Sequence, residues 1–139
     1  MADAPVARPN TSAPIGGLIP IARVAAINLE RTDPTDLARF WSTMLDGEIA
    51  VQTPDFCAVK AGNLYLGAVR VDDYQPPTWP SSERSQQIHL DLAVDDPDNL
   101  DDAEAQAIRL GAVKEKQQPA PERFRVLRDP AGHPFCLRL

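Results

Sequence analysis

The chain has 139 residues, of which 43% are hydrophobic and 24% charged, and this size and composition are those of one ordinary globular domain. Its 20 acidic residues against 14 basic ones give a net charge of −6, which excludes the extended basic surface that nucleic-acid binding requires. No stretch approaches the roughly 18 apolar residues of a membrane span, and the first residues lack the basic start and apolar run of a signal peptide. We therefore expect a cytoplasmic protein that binds neither nucleic acid nor membranes.

Residues 1–20 differ in composition from the rest of the chain. Proline recurs in this segment among Ala, Ser, Thr and Gly. Such a composition buries too little apolar surface to fold alone, so it predicts a flexible Pro/Ala-rich arm outside the core. Residues 21–139 are expected to form a single domain. Whether the arm becomes ordered against a partner subunit is left open by the sequence.

The chain beyond the arm contains an internal repeat. A shift of 63 residues aligns Asn28–Leu37 with Asp91–Leu100 and superimposes an Asp-Pro pair. In both copies a strand-like run precedes an aspartate suited to an N-cap, a proline suited to the first helical position, and an apolar stripe at helical spacing. Gly47 and Gly111 follow the stripes, and each is expected to end its helix in the left-handed conformation. The repeat therefore predicts two copies of one supersecondary unit.

Three strand-like runs follow each predicted helix, so each copy reads as a βαβββ unit. Turns rich in Gly, Asn, Asp and Pro separate the runs. The domain then divides into module one (residues 21–71), a proline-rich linker (72–86) and module two (87–139). The predicted strands after the helices are 48–53, 56–60 and 64–71 in module one, and 112–117, 124–128 and 134–139 in module two.

Four further side chains have plain structural interpretations. Cys57 and Cys136 each lie in an apolar strand-like run, which is typical of reduced, buried thiols rather than of a disulfide. Trp41 has the helical spacing of a core residue. His133 follows a turn glycine and is expected in an exposed loop.

Three sequence features carry a family resemblance. They are the Phe40-Trp41 pair of the first helix, the strand Ile88-His-Leu-Asp-Leu92, and the closing segment Asp129-Pro-Ala-Gly-His-Pro-Phe-Cys-Leu137. With the tandem βαβββ units, they resemble the vicinal oxygen chelate superfamily, the glyoxalase, bleomycin-resistance and extradiol-dioxygenase group, and within it the glyoxalase-like set of small bacterial proteins. The resemblance implies an α+β fold in which both modules form one curved, eight-stranded mixed sheet around a concave ligand cavity.

The resemblance also implies where a metal would bind. In metal-using members, four inward positions on the first, fourth, fifth and eighth strands supply His, Gln or Glu. The internal repeat maps these positions to Ala26, Leu66, His89 and Cys136. Because Ala26 and Leu66 have no donor atoms, we expect no cofactor and no catalytic metal. The alternative is a displaced divalent site that uses His89 with Asp91, or Cys136 as a thiolate for a soft ion.

The function that follows is the binding of a small, largely apolar or aromatic molecule in the cavity. One alternative is a lyase, isomerase or dioxygenase-type enzyme that uses His89, with Asp91, in acid–base chemistry. Another is an interaction module that joins a larger assembly through the arm and the acidic surface. Relatives often pair, so a homodimer is expected. Strand parity and the linker place these residues on the cavity walls: Val24, Ala26, Asn28, Leu66, Ala68, Trp79 as a lid, His89, Asp91 and Cys136.

Overall fold

The computed structural model describes residues 21–139, so the predicted arm of residues 1–20 lies outside the described residues. The α+β class and the tandem βαβββ arrangement are confirmed. None of the helices in 21–139 is long and apolar enough to cross a bilayer. The elements are β1 (Ala26–Arg31), α1 (Pro34–Met44), β2 (Glu48–Gln52), β3 (Phe56–Ala61), β4 (Leu64–Arg70), β5 (Leu90–Ala93), α2 (Leu100–Arg109), β6 (Val113–Lys114), β7 (Phe124–Arg128) and β8 (Pro134–Arg138).

The strands form two four-stranded sheets with the same order, β1-β4-β3-β2 and β5-β8-β7-β6. The pairs β1–β4 and β5–β8, each made of the first and the fourth strand of a module in chain order, are parallel. The other pairs are antiparallel. The expectation of one continuous eight-stranded sheet is corrected here, because within residues 21–139 no ladder joins β1 to β5. A cavity of about 270 Å³ lies between these strands, lined by 28–30 on one side and 88–90 on the other. The two sheets therefore both border this cavity and share no ladder among the described residues.

Helix α1 begins as its sequence predicts. The Asp33 side chain accepts a hydrogen bond from the Thr35 amide at 3.1 Å, and Pro34 occupies the first turn. The end of the helix differs from the prediction. Asp46, with φ +50°, takes the left-handed conformation expected of Gly47. A glycine is instead needed at position 47 for steric reasons, because a Cβ there would lie 2.5 Å from the carbonyl oxygen of Lys60.

The second helical segment follows its predicted capping pattern more closely. The Asp96 side chain accepts a hydrogen bond from the Asp98 amide at 2.9 Å. A short 3₁₀ turn over Pro97–Asn99 then leads into α2. Gly111 has φ +117°, so this glycine does adopt the left-handed side of the Ramachandran plot that was predicted for it.

The core is shared by both modules. Phe40 and Trp41 of α1 contact Phe135 of β8, with ring centroids 5.9 and 5.1 Å apart and edge-on geometry. Trp41 is buried as predicted. Aromatic pairs of this geometry contribute about 0.5–1.5 kcal/mol each beyond the burial of their area. Helix α1 packs mainly on β2, β3 and β4 of its own module, and these two aromatic side chains extend its contacts to β8 of module two.

A buried carboxylate reinforces the junction between the modules. Asp129, in the turn between β7 and β8, is 2% exposed and accepts hydrogen bonds from the Trp41 indole at 3.0 Å and from the Ala131 and His133 amides. The His133 ring nitrogen Nδ1 lies 2.9 Å from the same carboxylate. His133 is therefore a mostly buried partner of Asp129, and the expectation of an exposed loop histidine is wrong because the turn folds back onto α1.

Candidate ligand-binding site

A large cavity with a mostly apolar lining lies on one face of the second sheet. Its volume is about 690 Å³, within the range of roughly 300–1,000 Å³ typical of small-molecule sites. Strands β5, β7 and β8 supply its floor, and the linker and the segment before β7 supply its sides. The lining residues are Trp79, Gln86, His89, Asp91, Pro119, Arg123, Phe124, Val126, Pro134, Cys136, Arg138 and Leu139.

Three chemically active side chains meet on the floor of this cavity. Asp91 of β5 pairs with Cys136 of β8 in the parallel ladder, and His89 shares their face because it stands two residues before Asp91. The His89 Nε2 lies 3.1 Å from the Asp91 Oδ1. Donor atoms of His89, Asp91 and Cys136 all lie within 4.8 Å of one another. Strand alternation and the register of the β5–β8 ladder therefore bring these three side chains together in one small polar cluster.

The cluster keeps the Cys136 thiol protonated at neutral pH. Burial, followed by the charge of Asp91 and a hydrogen bond to it, raises the pKa of Cys136 to about 11, against a smaller opposing effect of Arg138. The Arg138 guanidinium lies 3.8 Å from the Asp91 Oδ2. Cys136 is therefore a poor nucleophile in this state, because the thiolate is the reactive form.

Trp79, which the sequence predicted as a lid residue, lines the cavity. The segment around it is tied by the Thr78 amide, which donates to the Arg84 carbonyl at 2.7 Å, and by the Arg84 guanidinium, which donates to the Pro76 carbonyl. These bonds order the linker around Trp79, which lines the cavity. Whether Trp79 contacts a ligand stays a prediction.

Two predicted wall residues lie elsewhere. Leu66 and Ala68 are 4% and 2% exposed and belong to the core beneath α1, since Leu66 pairs with Ile27 on the helix side of the sheet. The hairpin before β4 has a two-residue loop, whereas the one before β8 has a five-residue loop. Aligning the two turn glycines therefore shifts the register by one, and Gly67, rather than Leu66, is the counterpart of Cys136.

The β1 candidates do not line the module-two cavity either. Ala26 and Asn28 lie on the face of the first sheet opposite to α1, and Asn28 borders the cavity between the two sheets. Val24 precedes β1 and is largely exposed. The Asn28 side chain occupies the space above Gly67, where a Cβ would lie 2.1 Å from its Oδ1. Module one therefore supplies little to the proposed pocket.

The four-position metal set of the superfamily's metal-using members does not fit this chain. With the register corrected, the positions are Ala26, Gly67, His89 and Cys136, and the two from module one have no donor atom. Asp91 adds a third donor on the module-two side. The donor atoms present are thus confined to one module and include a sulfur.

The sequence interpretation missed most of the apolar walls. Val126 pairs with Cys136, so strand parity on β7 could have found Val126 and Phe124. Pro119, Gln86 and Arg123 lie outside regular strands, and no local periodicity marks them. Their positions depend on how the loops close over the sheet.

Comparison with known proteins identifies a matching domain family and solved structures with the same fold. The sequence profile of the glyoxalase-like domain matches residues 26–138. No curated protein matches the chain. Among solved structures, a glyoxalase/bleomycin resistance protein/dioxygenase family enzyme from Burkholderia phytofirmans PsJN is 16% identical with a TM-score of 0.65, covering 84% of this chain and 97% of that one.

Two further solved structures show the same fold. A variant of the fosfomycin resistance protein FosX from Listeria monocytogenes, complexed with Mn(II) and 1S,2S-dihydroxypropylphosphonic acid, is 16% identical with a TM-score of 0.65, covering 85% of this chain and 90% of that one. Lactoylglutathione lyase from Agrobacterium tumefaciens is 16% identical with a TM-score of 0.58, covering 86% and 95%. The chain therefore belongs to the glyoxalase-like domain family, and its fold is shared by solved structures of the glyoxalase/bleomycin resistance/dioxygenase (vicinal oxygen chelate) superfamily.

Proposed function

We propose that this protein binds a small, largely apolar or aromatic molecule in the cavity of module two, without the four-position metal centre of the superfamily's metal-using members. The observation that carries the proposal is the composition of the walls. Trp79, Phe124, Val126 and two prolines surround a few polar side chains, which is the usual character of a small-molecule site.

The arrangement of polar groups supports a ligand with one polar end. Aromatic surface from Trp79 and Phe124 offers flat faces for an apolar or aromatic body. His89, Asp91 and Arg138 lie together on the floor and give hydrogen-bonding partners of both signs. A molecule with a ring and a polar substituent would satisfy both regions at once.

A fluorescence titration with 1-anilinonaphthalene-8-sulfonate, an aromatic anion that brightens in apolar pockets, tests the cavity. We expect saturable binding of about one probe per chain to the folded protein. Val126→Phe fills the cavity from its floor and should weaken binding by about tenfold or more, as expected when apolar contact is replaced by a clash. Val113→Phe, at an exposed position of β6 outside the cavity, is the matched control.

Because an enlarged core side chain can disturb folding, Trp79→Ala is measured alongside, and circular dichroism verifies that each variant is folded. Trp79→Ala removes one aromatic wall and should also weaken binding. Equal binding by the unaltered protein and by both cavity variants would contradict the proposal, as would probe binding that never saturates.

The contact between His89 and Asp91 also supports the enzyme alternative, since a histidine beside a carboxylate can act as an acid–base pair. Native mass spectrometry of the purified protein can identify a bound molecule. Its return unchanged after incubation with the protein would favour simple binding, whereas its conversion would favour an enzyme. Cytoplasmic location, a homodimer and a partner-binding arm stay predictions.

A further inference from the structure

The cluster on the cavity floor contains a nitrogen, an oxygen and a sulfur donor from side chains that the family's four-position set does not explain together. We propose that His89 Nε2, a carboxylate oxygen of Asp91 and Cys136 Sγ form a binding site for a divalent cation of the zinc type, built entirely within module two. The site shares His89 and Cys136 with the four-position set, but its third ligand is Asp91, and it takes no donor from module one.

The geometry is close to that of a three-ligand site. The donor atoms lie within 4.8 Å of one another, and the closest pair, His89 Nε2 and Asp91 Oδ1, is 3.1 Å apart. In a tetrahedral zinc site, bond lengths of roughly 2.0–2.3 Å place neighbouring donors about 3.5 Å apart. Side-chain rotations that move the donor atoms by about an ångström are therefore enough to bring the Cys136 sulfur to bonding distance of the cation, without movement of the sheet.

The donor types select the class of cation. A cysteine thiolate and an imidazole favour Zn²⁺ and Co²⁺, whereas Mg²⁺, Ca²⁺ and Mn²⁺ favour sites made of oxygen ligands. Three protein ligands leave a fourth position open, and here that position faces the cavity, since His89, Asp91 and Cys136 all line it.

Charge balance is consistent with the same assignment. A divalent cation with one thiolate and one carboxylate makes a neutral site, and the thiol proton is released to solvent when the cation binds. Arg138, 3.8 Å from the Asp91 Oδ2, can orient the carboxylate from outside the ligand set. Without a cation, the carboxylate instead contacts the His89 ring directly.

Titration of the metal-free, full-length protein with Co²⁺ tests the site by a spectroscopic signal that needs no substrate. We expect one equivalent of Co²⁺ to produce a sulfur-to-cobalt charge-transfer band in the near ultraviolet. Cys136→Ser should abolish this band and lower Co²⁺ affinity by about tenfold or more, because one of three protein bonds is replaced by a weaker ligand. Cys57→Ser is the control, since Cys57 lies in the core beneath α1, and it should retain the band.

His89→Gln and Asp91→Asn provide variants that preserve side-chain size, and each should weaken Co²⁺ binding with the fold intact by circular dichroism. Zn²⁺ should displace Co²⁺, and Mn²⁺ at the same concentration should not. Absence of the band in the unaltered protein, or its persistence in Cys136→Ser, would overturn the proposal. The fluorescent-probe titration of the metal-free protein is independent of this result, so failure of the cation site and failure of the ligand cavity are distinguishable.

Discussion

Asp129 has one role that its sequence context predicts and a second that only the structure shows. In the sequence it opens a turn of the Asp-Pro-x-Gly type, and the bond from the Gly132 amide to the Asp129 carbonyl at 2.8 Å confirms that turn. In the structure its carboxylate also satisfies the indole of Trp41, which lies 88 residues away. Local turn chemistry could not predict this contact, because the partner belongs to another module.

We predict that Asp129→Ala destabilises the protein by about 2–4 kcal/mol, because the Trp41 indole and two backbone amides would lose their buried acceptor. Urea unfolding measures the effect. Asp72→Ala is the control, since Asp72 forms an exposed ion pair with Arg70 and should change stability by no more than about 1 kcal/mol. Similar losses in both variants would show that burial of Asp129 is not what matters.

At the scale of elements, local signals predicted existence and order but not every boundary. The N-caps Asp33 and Asp96 are as predicted, because a cap involves only neighbouring residues. The end of α1 is not, because the position of Gly47 is decided by the backbone of β3 at Lys60 rather than by its own conformation. Strand β6 is also shorter than predicted, over Val113–Lys114.

This difference at the end of α1 gives a paired prediction. Asp46→Gly should stabilise the protein by up to about 1 kcal/mol, because φ is positive there and glycine adopts that conformation without steric cost. Gly47→Ala should destabilise it by about 1–3 kcal/mol, because the added Cβ would collide with the Lys60 carbonyl. Thermal or urea unfolding of the two variants checks both signs. Equal destabilisation by both substitutions would contradict this interpretation, in which Asp46 bears the cost of a positive φ and Gly47 avoids a steric clash.

At the scale of the whole molecule, polar contacts join the linker and both modules at one junction. The Tyr74 hydroxyl, from the linker, donates to the Ala131 carbonyl at 2.8 Å and lies 3.1 Å from His133 Nε2. The Arg31 guanidinium of β1 donates to the Pro130 carbonyl and pairs with Asp36 at 2.7 Å. These bonds meet at the turn between β7 and β8, beside the contact of Trp41 with Asp129.

The junction predicts a loss of stability at alkaline pH. Burial, then the charge of Asp129, raises the pKa of Tyr74 from 10.0 to about 12. Below the unfolded value the phenol is protonated in both states, whereas between the two values the unfolded chain releases its proton first, so rising pH favours unfolding. Urea unfolding across about pH 9 to 12 should show this decline.

Tyr74→Phe should remove the part of the decline that belongs to Tyr74, although it also lowers stability at neutral pH by about 1 kcal/mol through loss of the hydrogen bond to Ala131. Tyr65→Phe, at an exposed tyrosine of β4, is the control and should keep the decline. An identical pH dependence in Tyr74→Phe and the unaltered protein would mean that this phenol does not couple to folding in the way its burial indicates.

The sequence by itself determined the repeat, the capped helices, the strand alternation that puts His89 and Asp91 on one face, and the family. These features depend on residues a few positions apart, where propensity and periodicity act directly. Tertiary structure alone decided that the modules form two sheets, that Gly67 rather than Leu66 is the counterpart of Cys136, and that Pro119, Gln86 and Arg123 line the cavity. Each of these depends on ladder register or on packing between distant segments, and a difference of a few loop residues changes the register without altering any local pattern.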